Sequence, residues 1–446
     1  MRWSGHVLLA SSLFFCSCNA EAAIMSLSTL TNRSGVTTVV DIKPSGADGD
    51  AYMLSLDTGS ISRYNAGAAT GAVNSGLSST PLLAGIPDPD FYQAYSIAFA
   101  PDYATSGKVY MSYSTTGRIE KVVEFTRGTD GNLDPSTLRT IITIDQSTGA
   151  QVGTHYGGDL SFGPDGMFYV TTGESDSPLS VPSPSQNVGD LRGGVLRLDL
   201  SGDAYPGDDT RNYAIPADNP DFGPGSLPEL WAKGLRNPYK ATWDNATYII
   251  TDVGEDNTEE INLGSSGANY GWSLYEGNDV LVASQDLAEG DLTFPLYTYA
   301  HGDGPFEGIS ITGGLVYHTT DPELALLDGQ YFFSDFSDGS DNAPIWSIAL
   351  SDLLAGRTDR VTAWTLDIAG GALLNHTATF GVDGEGNLYI SDLYGEVFGL
   401  SGISGFSSVP LPTSGVLLFG AFGFLALSGL STRRRRPQSH QRLAAS

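Results

Sequence analysis

Cysteine is nearly absent: Cys16 and Cys18 are the only two, and both fall within the first 23 residues. The rest of the chain therefore has no disulfide to staple it and no thiolate to offer a metal. Positive charge is also scarce, with 22 Lys and Arg against 51 Asp and Glu and a formal net charge of −29. A surface of that sign repels nucleic acid and anionic lipid, which excludes such partners and favours a soluble, secreted setting. Long apolar runs with helical periodicity are missing between residues 24 and 408. So are a Gly-x-Gly-x-x-Gly opening a helix, a phosphate-binding loop and a Gly-x-Ser-x-Gly elbow. Acids abound, yet no pair is set apart as glycoside hydrolysis requires.

What is present is glycine (55), proline (23), tyrosine (21) and phenylalanine (19), in a chain that is 40% hydrophobic. That is enough for a large core in a loop-rich, all-β protein. Six segments share one pattern, a turn rich in Asp, Gly or Asn followed by a short strand with an early tyrosine. The tyrosines are Tyr52, Tyr110, Tyr169, Tyr248, Tyr331 and Tyr389, spaced by 58, 59, 79, 83 and 58 residues. One four-stranded sheet cannot cover both its faces, whereas a ring of sheets covers each with its neighbours. The repeat thus predicts a six-bladed β-propeller over residues 24–408, with a pair of β-sandwiches as the alternative. The long gaps from Thr171 to Thr247 and from Thr251 to Gln330 hold insertions of the kind that gather on one face and build a site. Residues 174–190 read as a mobile loop.

Both ends carry sorting patterns. Residues 1–23, with Arg2, an apolar run from Val7 to Phe15 and small residues at Ala20, Ala22 and Ala23, read as a secretory signal peptide; cleavage at Cys18, lipoprotein fashion, is the alternative. Residues 409–446 begin Val409-Pro410-Leu411-Pro412, continue as an uncharged apolar stretch from Val416 to Leu430 and end in Arg433 to Arg436. Fifteen helical residues reach only about 22 Å, short of the ~30 Å hydrocarbon core. This tail resembles the PEP-CTERM signals read by exosortase-type sorting machinery, in the VPLPA-like variant; a permanent C-terminal anchor is the alternative. Residues 1–23, where Arg2 and Glu21 cancel, and 409–446, with five arginines and no acid, leave a charge of −34 on the domain between them. Either way it is delivered outside the cytoplasm, touching membrane only through its C-terminal segment.

Thr154-His155-Tyr156-Gly157-Gly158-Asp159 sets a histidine just before two glycines, where backbone can approach a ligand closely and a strand follows. An imidazole titrates near working pH, so His155 is the first candidate for a general base. A loop histidine bonded to backbone is the plainer alternative. Five further motifs flank it: Tyr95-Ser96-Ile97-Ala98-Phe99-Ala100-Pro101-Asp102, Leu191-Arg192-Gly193-Gly194, Ala214-Ile215-Pro216-Ala217-Asp218-Asn219-Pro220, Gly234-Leu235-Arg236-Asn237-Pro238 and Asn269-Tyr270-Gly271-Trp272.

In this order the motifs resemble those of the glucose/sorbosone dehydrogenase family, over roughly residues 40–400. The resemblance implies a propeller that oxidises the anomeric carbon of aldoses with pyrroloquinoline quinone (PQQ) beside Ca²⁺. His155 would be the base, Arg236 and Asn237 would touch the cofactor, and Glu260 with the backbone carbonyl of Tyr270 would hold calcium. A guanidinium forks two donors towards carbonyls and carboxylates, and calcium takes hard oxygens. Three departures stand against the cofactor. Asp159 lies where quinone-using members commonly carry Arg, a glutamine before the Ala-Phe-x-Pro motif is off register at Gln93, and His376 to Asp383 contains no arginine. The other reading is a non-catalytic, calcium-stabilised propeller that binds extracellular polysaccharide or protein.

Overall fold

The computed structural model describes residues 22–148, 154–175, 183–281, 292–336 and 342–406. The tail at 409–446, the leader except its last two residues, and 176–182 of the expected loop lie outside the described residues. Among the described residues no helix is long and apolar enough to cross a membrane.

The fold is an all-β propeller in which helix is confined to short turns such as Tyr103–Ser106 and Leu350–Leu354. Strand β1 (Ile24–Thr31) comes first among the described strands and pairs with the last of them. A three-stranded sheet follows, β2 (Val39–Pro44), β3 (Ala51–Ser55) and β4 (Ile61–Tyr64). Next is a four-stranded sheet of β5 (Phe91–Phe99), β6 (Lys108–Thr115), β7 (Ile119–Arg127) and β8 (Leu133–Asp145). Another comprises β9 (Gly157–Phe162), β10 (Phe168–Thr172), β11 (Gly194–Leu198) and β12 (Leu230–Lys233). Then come β13 (Lys240–Asp244), β14 (Thr247–Asp252) and β15 (Thr258–Leu263). A ribbon of β16 (Tyr275–Glu276) and β17 (Asp279–Val280) intervenes before β18 (Tyr297–Ala300) completes that sheet. The remaining strands are β19 (Ile311–Tyr317), β20 (Gln330–Asp335), β21 (Ile345–Ala349), β22 (Thr362–Ile368), β23 (Thr377–Val382), β24 (Leu388–Asp392) and β25 (Val397–Ser404). They form one sheet of eight strands ordered β19-β20-β21-β22-β1-β25-β24-β23, in which β1 runs parallel to β22 and antiparallel to β25.

The repeated tyrosines explain the pattern read in the sequence. Each lies buried on the second strand of a repeat: Tyr52 on β3, Tyr110 on β6, Tyr169 on β10, Tyr248 on β14, Tyr331 on β20 and Tyr389 on β24. Several donate a hydroxyl hydrogen bond to an acid in the preceding turn, as Tyr52 does to Asp48 (2.7 Å), Tyr169 to Asp165 (2.9 Å) and Tyr389 to Asp383 (2.7 Å). A large ring is thereby buried while its one polar atom stays paired.

Apolar clusters lie between consecutive sheets. Leu54, Ile97 and Met111 join the first two, Val122, Leu160 and Phe168 the next two, and Val195, Ala241 and Ile250 the pair after that. The last cluster returns to the start, setting Tyr389 and Val397 against Val39, Ile42 and Met53. Full burial of each such large side chain contributes about 1.5–3 kcal/mol. Strands β2, β5, β9, β13, β19 and β23 neighbour one another in that order, and β23 returns to β2. Their first residues, and the turns leading into them, carry the candidate site.

Candidate active site

The approach to β9 is held in an unusual backbone shape. His155, Gly157 and Gly158 all have left-handed φ, of 56°, 66° and 85°. The two glycines tolerate this freely, while a residue with a side chain gives up about 1–2 kcal/mol there. Packing enforces it: a Cβ on Gly173 would overlap the His155 carbonyl, and Ser175 Oγ donates to Thr154 O at 2.8 Å. The His155 ring is half-buried, and its Nδ1 is enclosed with no hydrogen-bond partner. Burial, and then the positive field of Arg236, push its pKa down to about 3, so the imidazole is neutral at physiological pH.

Arg236 and Asn237, at the turn into β13, stand beside it. Asp252, at the end of β14, clamps that turn by accepting the Arg236 and Asn237 backbone N–H groups at 2.9 and 2.7 Å. The Asn237 side-chain oxygen accepts Gly157 N–H at 3.2 Å, tying the two strand entrances together. The Arg236 guanidinium lies 5.5 Å from the centre of the Trp272 ring, donates to Val253 O at 3.0 Å and pairs with Glu255, while its Nε has no partner. His155, Arg236 and Asn237 therefore form one cluster. Sequence order had not indicated the Glu255 pairing, which offsets part of the guanidinium's charge.

Glu260 and Tyr270 lie within electrostatic reach of each other, but their side chains are otherwise engaged. Gly277 N–H (2.6 Å) and Asn262 Nδ2 (2.9 Å) donate to the two Glu260 oxygens, and the Tyr270 hydroxyl donates to Leu263 O at 2.7 Å. Among the described residues, no group of three or more His, Cys, Asp or Glu side chains is set up to hold a metal. What the region holds is a crowd of buried carboxyl groups. Asp252 and Glu260 face each other across β14 and β15, both buried. Burial raises both carboxyl pKa values, with the charge of Glu259 adding to the first and that of Asp252 to the second.

A cavity of about 190 Å³ opens beside Asn237, lined also by Tyr239, Thr312, Phe336 and Thr377. The Thr312 and Thr377 hydroxyls are enclosed without partners. His376, the residue before Thr377, stacks on Phe336 at 4.4 Å and meets the Tyr394 hydroxyl at 3.1 Å. Unpaired buried polar groups are rare and cost about 1–3 kcal/mol each. Five of them, His155 Nδ1, Arg236 Nε, Trp272 Nε1, Thr312 Oγ1 and Thr377 Oγ1, belong to this cluster and its cavity. They suit a ligand rich in oxygen and nitrogen. Sequence reading missed Thr312, Phe336 and Thr377; the only signal was their place at the ends of repeat strands.

Asp159, where quinone-using members commonly carry Arg, lies in the interior. Its carboxylate is buried, accepts Ser96 Oγ (3.1 Å) and Ala241 N–H (3.1 Å), and pairs with Lys240 at 3.3 Å. Asp41 joins the same lysine at 3.4 Å. The charge at 159 is thus balanced among the inner strands.

Comparison with known proteins agrees with this architecture. The family described as glucose/sorbosone dehydrogenase matches residues 94–334. HIPL1 protein of Arabidopsis thaliana is 34% identical over 46% of this chain and 31% of its own length. Aldose sugar dehydrogenase YliI of Escherichia coli strain K12 is 28% identical over 54% of this chain and 62% of its own. Hedgehog-interacting protein of Mus musculus is 28% identical over 57% and 35%. The chain thus spans about a third of the plant and mouse proteins and under two thirds of the bacterial one. Among solved structures, the apo-form of the soluble aldose sugar dehydrogenase from Escherichia coli superposes with a TM-score of 0.60 at 20% identity, covering 84% of this chain and 99% of that one. The PQQ-bound form of aldose sugar dehydrogenase from Streptomyces coelicolor gives 0.57 at 20%, covering 86% and 98%. At these identities the structures speak for the fold alone.

Proposed function

The chain belongs to the glucose/sorbosone dehydrogenase family, and on that footing we propose that it is an exported PQQ-dependent aldose dehydrogenase built on a six-bladed propeller. The blade count treats the eight-stranded sheet as two blades joined where β1 meets β22. The observation that carries the reading is His155, a neutral imidazole beside Arg236 with an unpaired nitrogen at a strained strand entrance.

PQQ, when bound, supplies the hydride acceptor. The enclosed Arg236 Nε, the Asn237 side chain and the Thr312 and Thr377 hydroxyls fit the carbonyl oxygens of such a planar group. His155 would take the anomeric hydroxyl proton at its free ring nitrogen as the hydride leaves. A base acts best with a pKa near working pH. Burial holds the imidazole low first of all, and an anionic ligand beside Arg236 would offset the second cause, the positive field. Calcium beside Glu260 and the Tyr270 carbonyl would relieve the Asp252–Glu260 repulsion, and it enters no step. Export by the leader, and sorting through the C-terminal segment, are part of the same proposal.

A second reading is favoured by one observation, the Arg236–Glu255 pair, which spends the cluster's cation. On that reading the propeller binds polysaccharide or protein without turnover. Purified protein mixed with Ca²⁺, PQQ and a panel of aldoses decides between them. Dye reduction with a spectral change of the quinone supports the enzyme, and no quinone binding at high micromolar concentration overturns it. A melting midpoint that EDTA leaves unchanged would count against calcium at Glu260.

A further inference from the structure

A second, roomier cavity than the one beside Asn237 is at the other end of the inner strands. It measures about 520 Å³ and draws its walls from the later residues of β2, β5, β9, β19 and β23 and from β13. Strand order separates it from the His155 face. In β9, Gly157 and Gly158 belong to the His155 turn, Asp159 follows, and Leu160 to Phe162 line the cavity. Asn237 and Tyr239 precede β13, and Lys240, its first residue, begins the lining. The buried Asp41, Asp159 and Lys240 therefore stand between the two openings.

Its chemistry runs against the composition of the chain. With 51 acids and 22 bases to draw on, the sequence places two lysines and no acid in this lining. Lys240 is committed, because Asp41 and Asp159 hold its pKa up against burial. Lys43 is not. Its ammonium stands 3.6 Å from Asp41 Oδ1 and 4.0 Å from Asp159 Oδ1, the oxygens Lys240 already meets at 3.4 and 3.3 Å. The Lys43 side chain keeps 29% of its surface exposed. Phe99, Phe162, Trp243, Leu315 and Phe380 supply broad apolar walls, and the enclosed Trp243 Nε1 has no acceptor. An ammonium and an indole N–H over aromatic walls recognise an apolar body carrying one acceptor-rich anionic group.

We propose that this cavity is a second small-molecule site, separate from the His155 face, for an amphipathic anion with a flat apolar body and one carboxylate or sulfonate directed at Lys43. The volume falls within the ~300–1,000 Å³ typical of such pockets. Nothing in the proposal depends on dehydrogenase activity.

The probe is 8-anilinonaphthalene-1-sulfonate, which has two aromatic systems and one sulfonate. Titration of the purified protein at neutral pH should give fluorescence enhancement saturating at one dye per chain. Lys43→Met should weaken that binding about tenfold, as loss of a charge-assisted hydrogen bond does, and His155→Gln should leave it unchanged. Thr242→Trp, which fills the cavity, should abolish it, with the melting midpoint checking that the variant is folded. Failure to saturate, equal affinity in wild type and Lys43→Met, or loss of binding in His155→Gln would each overturn the proposal; Lys43→Met decides even where Thr242→Trp does not fold.

Discussion

At the scale of single residues, the site is a set of polar atoms that the fold leaves unsatisfied. His155→Gln keeps a polar side chain of similar reach but removes the base. We expect kcat/KM on aldoses to fall by about 10²- to 10⁴-fold with quinone binding retained, read by dye reduction and by quinone titration. Equal rates in variant and wild type would refute the assignment. Glu120 is the other residue to test. It is buried beside Gly158 and accepts Gln146 Nε2 at 2.9 Å with one oxygen, while the other has no partner. Burial pushes it up to about 8, so it is largely protonated at neutral pH. Glu120→Gln, which mimics that form, should fold and resist alkaline conditions better than wild type, as thermal melts at pH 9 would reveal.

Elements come next, because no residue here holds its place alone. Asp252 on β14 fixes the turn into β13, that turn fixes Gly157 through Asn237, and Gly173 leaves room for the His155 carbonyl. Gly173→Ala should therefore push the His155 turn away. Displacement of a base by about 1 Å can cost on the order of 100-fold in rate, and we expect kcat to fall with little change in the far-ultraviolet circular dichroism. Full activity in this variant would show that the tight approach is dispensable. Much at this scale was legible in the sequence. The tyrosine repeat is local, since each tyrosine needs only its own turn and strand, and it marked the second strand of every repeat. His155, Arg236 and Asn237 were legible as motifs, and they do come together. The Arg236–Glu255 pair and the Lys240–Asp159 pair were not, because the second joins residues 81 apart and which acid meets which base depends on packing between sheets. Nor could the sequence distinguish Glu260 as a metal ligand from Glu260 as a carboxyl held by Gly277 and Asn262.

For the whole molecule, buried ionisable groups set a pH window. Glu120 is raised from 4.5 to about 8, and burial raises Asp252 and Glu260 as well. A raised carboxyl contributes stability that is full below its unfolded pKa and is lost as pH climbs through the folded one. His155 acts in the opposite sense. Its folded pKa is about 3 against 6.5 unfolded, so stability falls as pH drops from 6.5 towards 3. Three raised carboxyls outweigh one histidine, so the melting midpoint should peak near about pH 4.5 and decline as the pH climbs towards 8. A flat profile from pH 5 to 9 would contradict the buried carboxyls, and calcium that restores the alkaline side would locate the cation among them.

The pairing of β1 with β25 also bears on the timing of folding. Residues 24–31 leave the ribosome ahead of every other described strand, yet their antiparallel partner, residues 397–404, is the last of those strands to be made. Closing so long a loop adds little entropy beyond a shorter one, but such non-local contacts form slowly. Until they form, the edge of β25 and the apolar Met25 and Leu27 wait uncovered. The ring is thus a clasp that only a fully synthesised chain can fasten, and a ribosome-stalled or truncated chain would present that open edge to whatever chaperone or protease meets it.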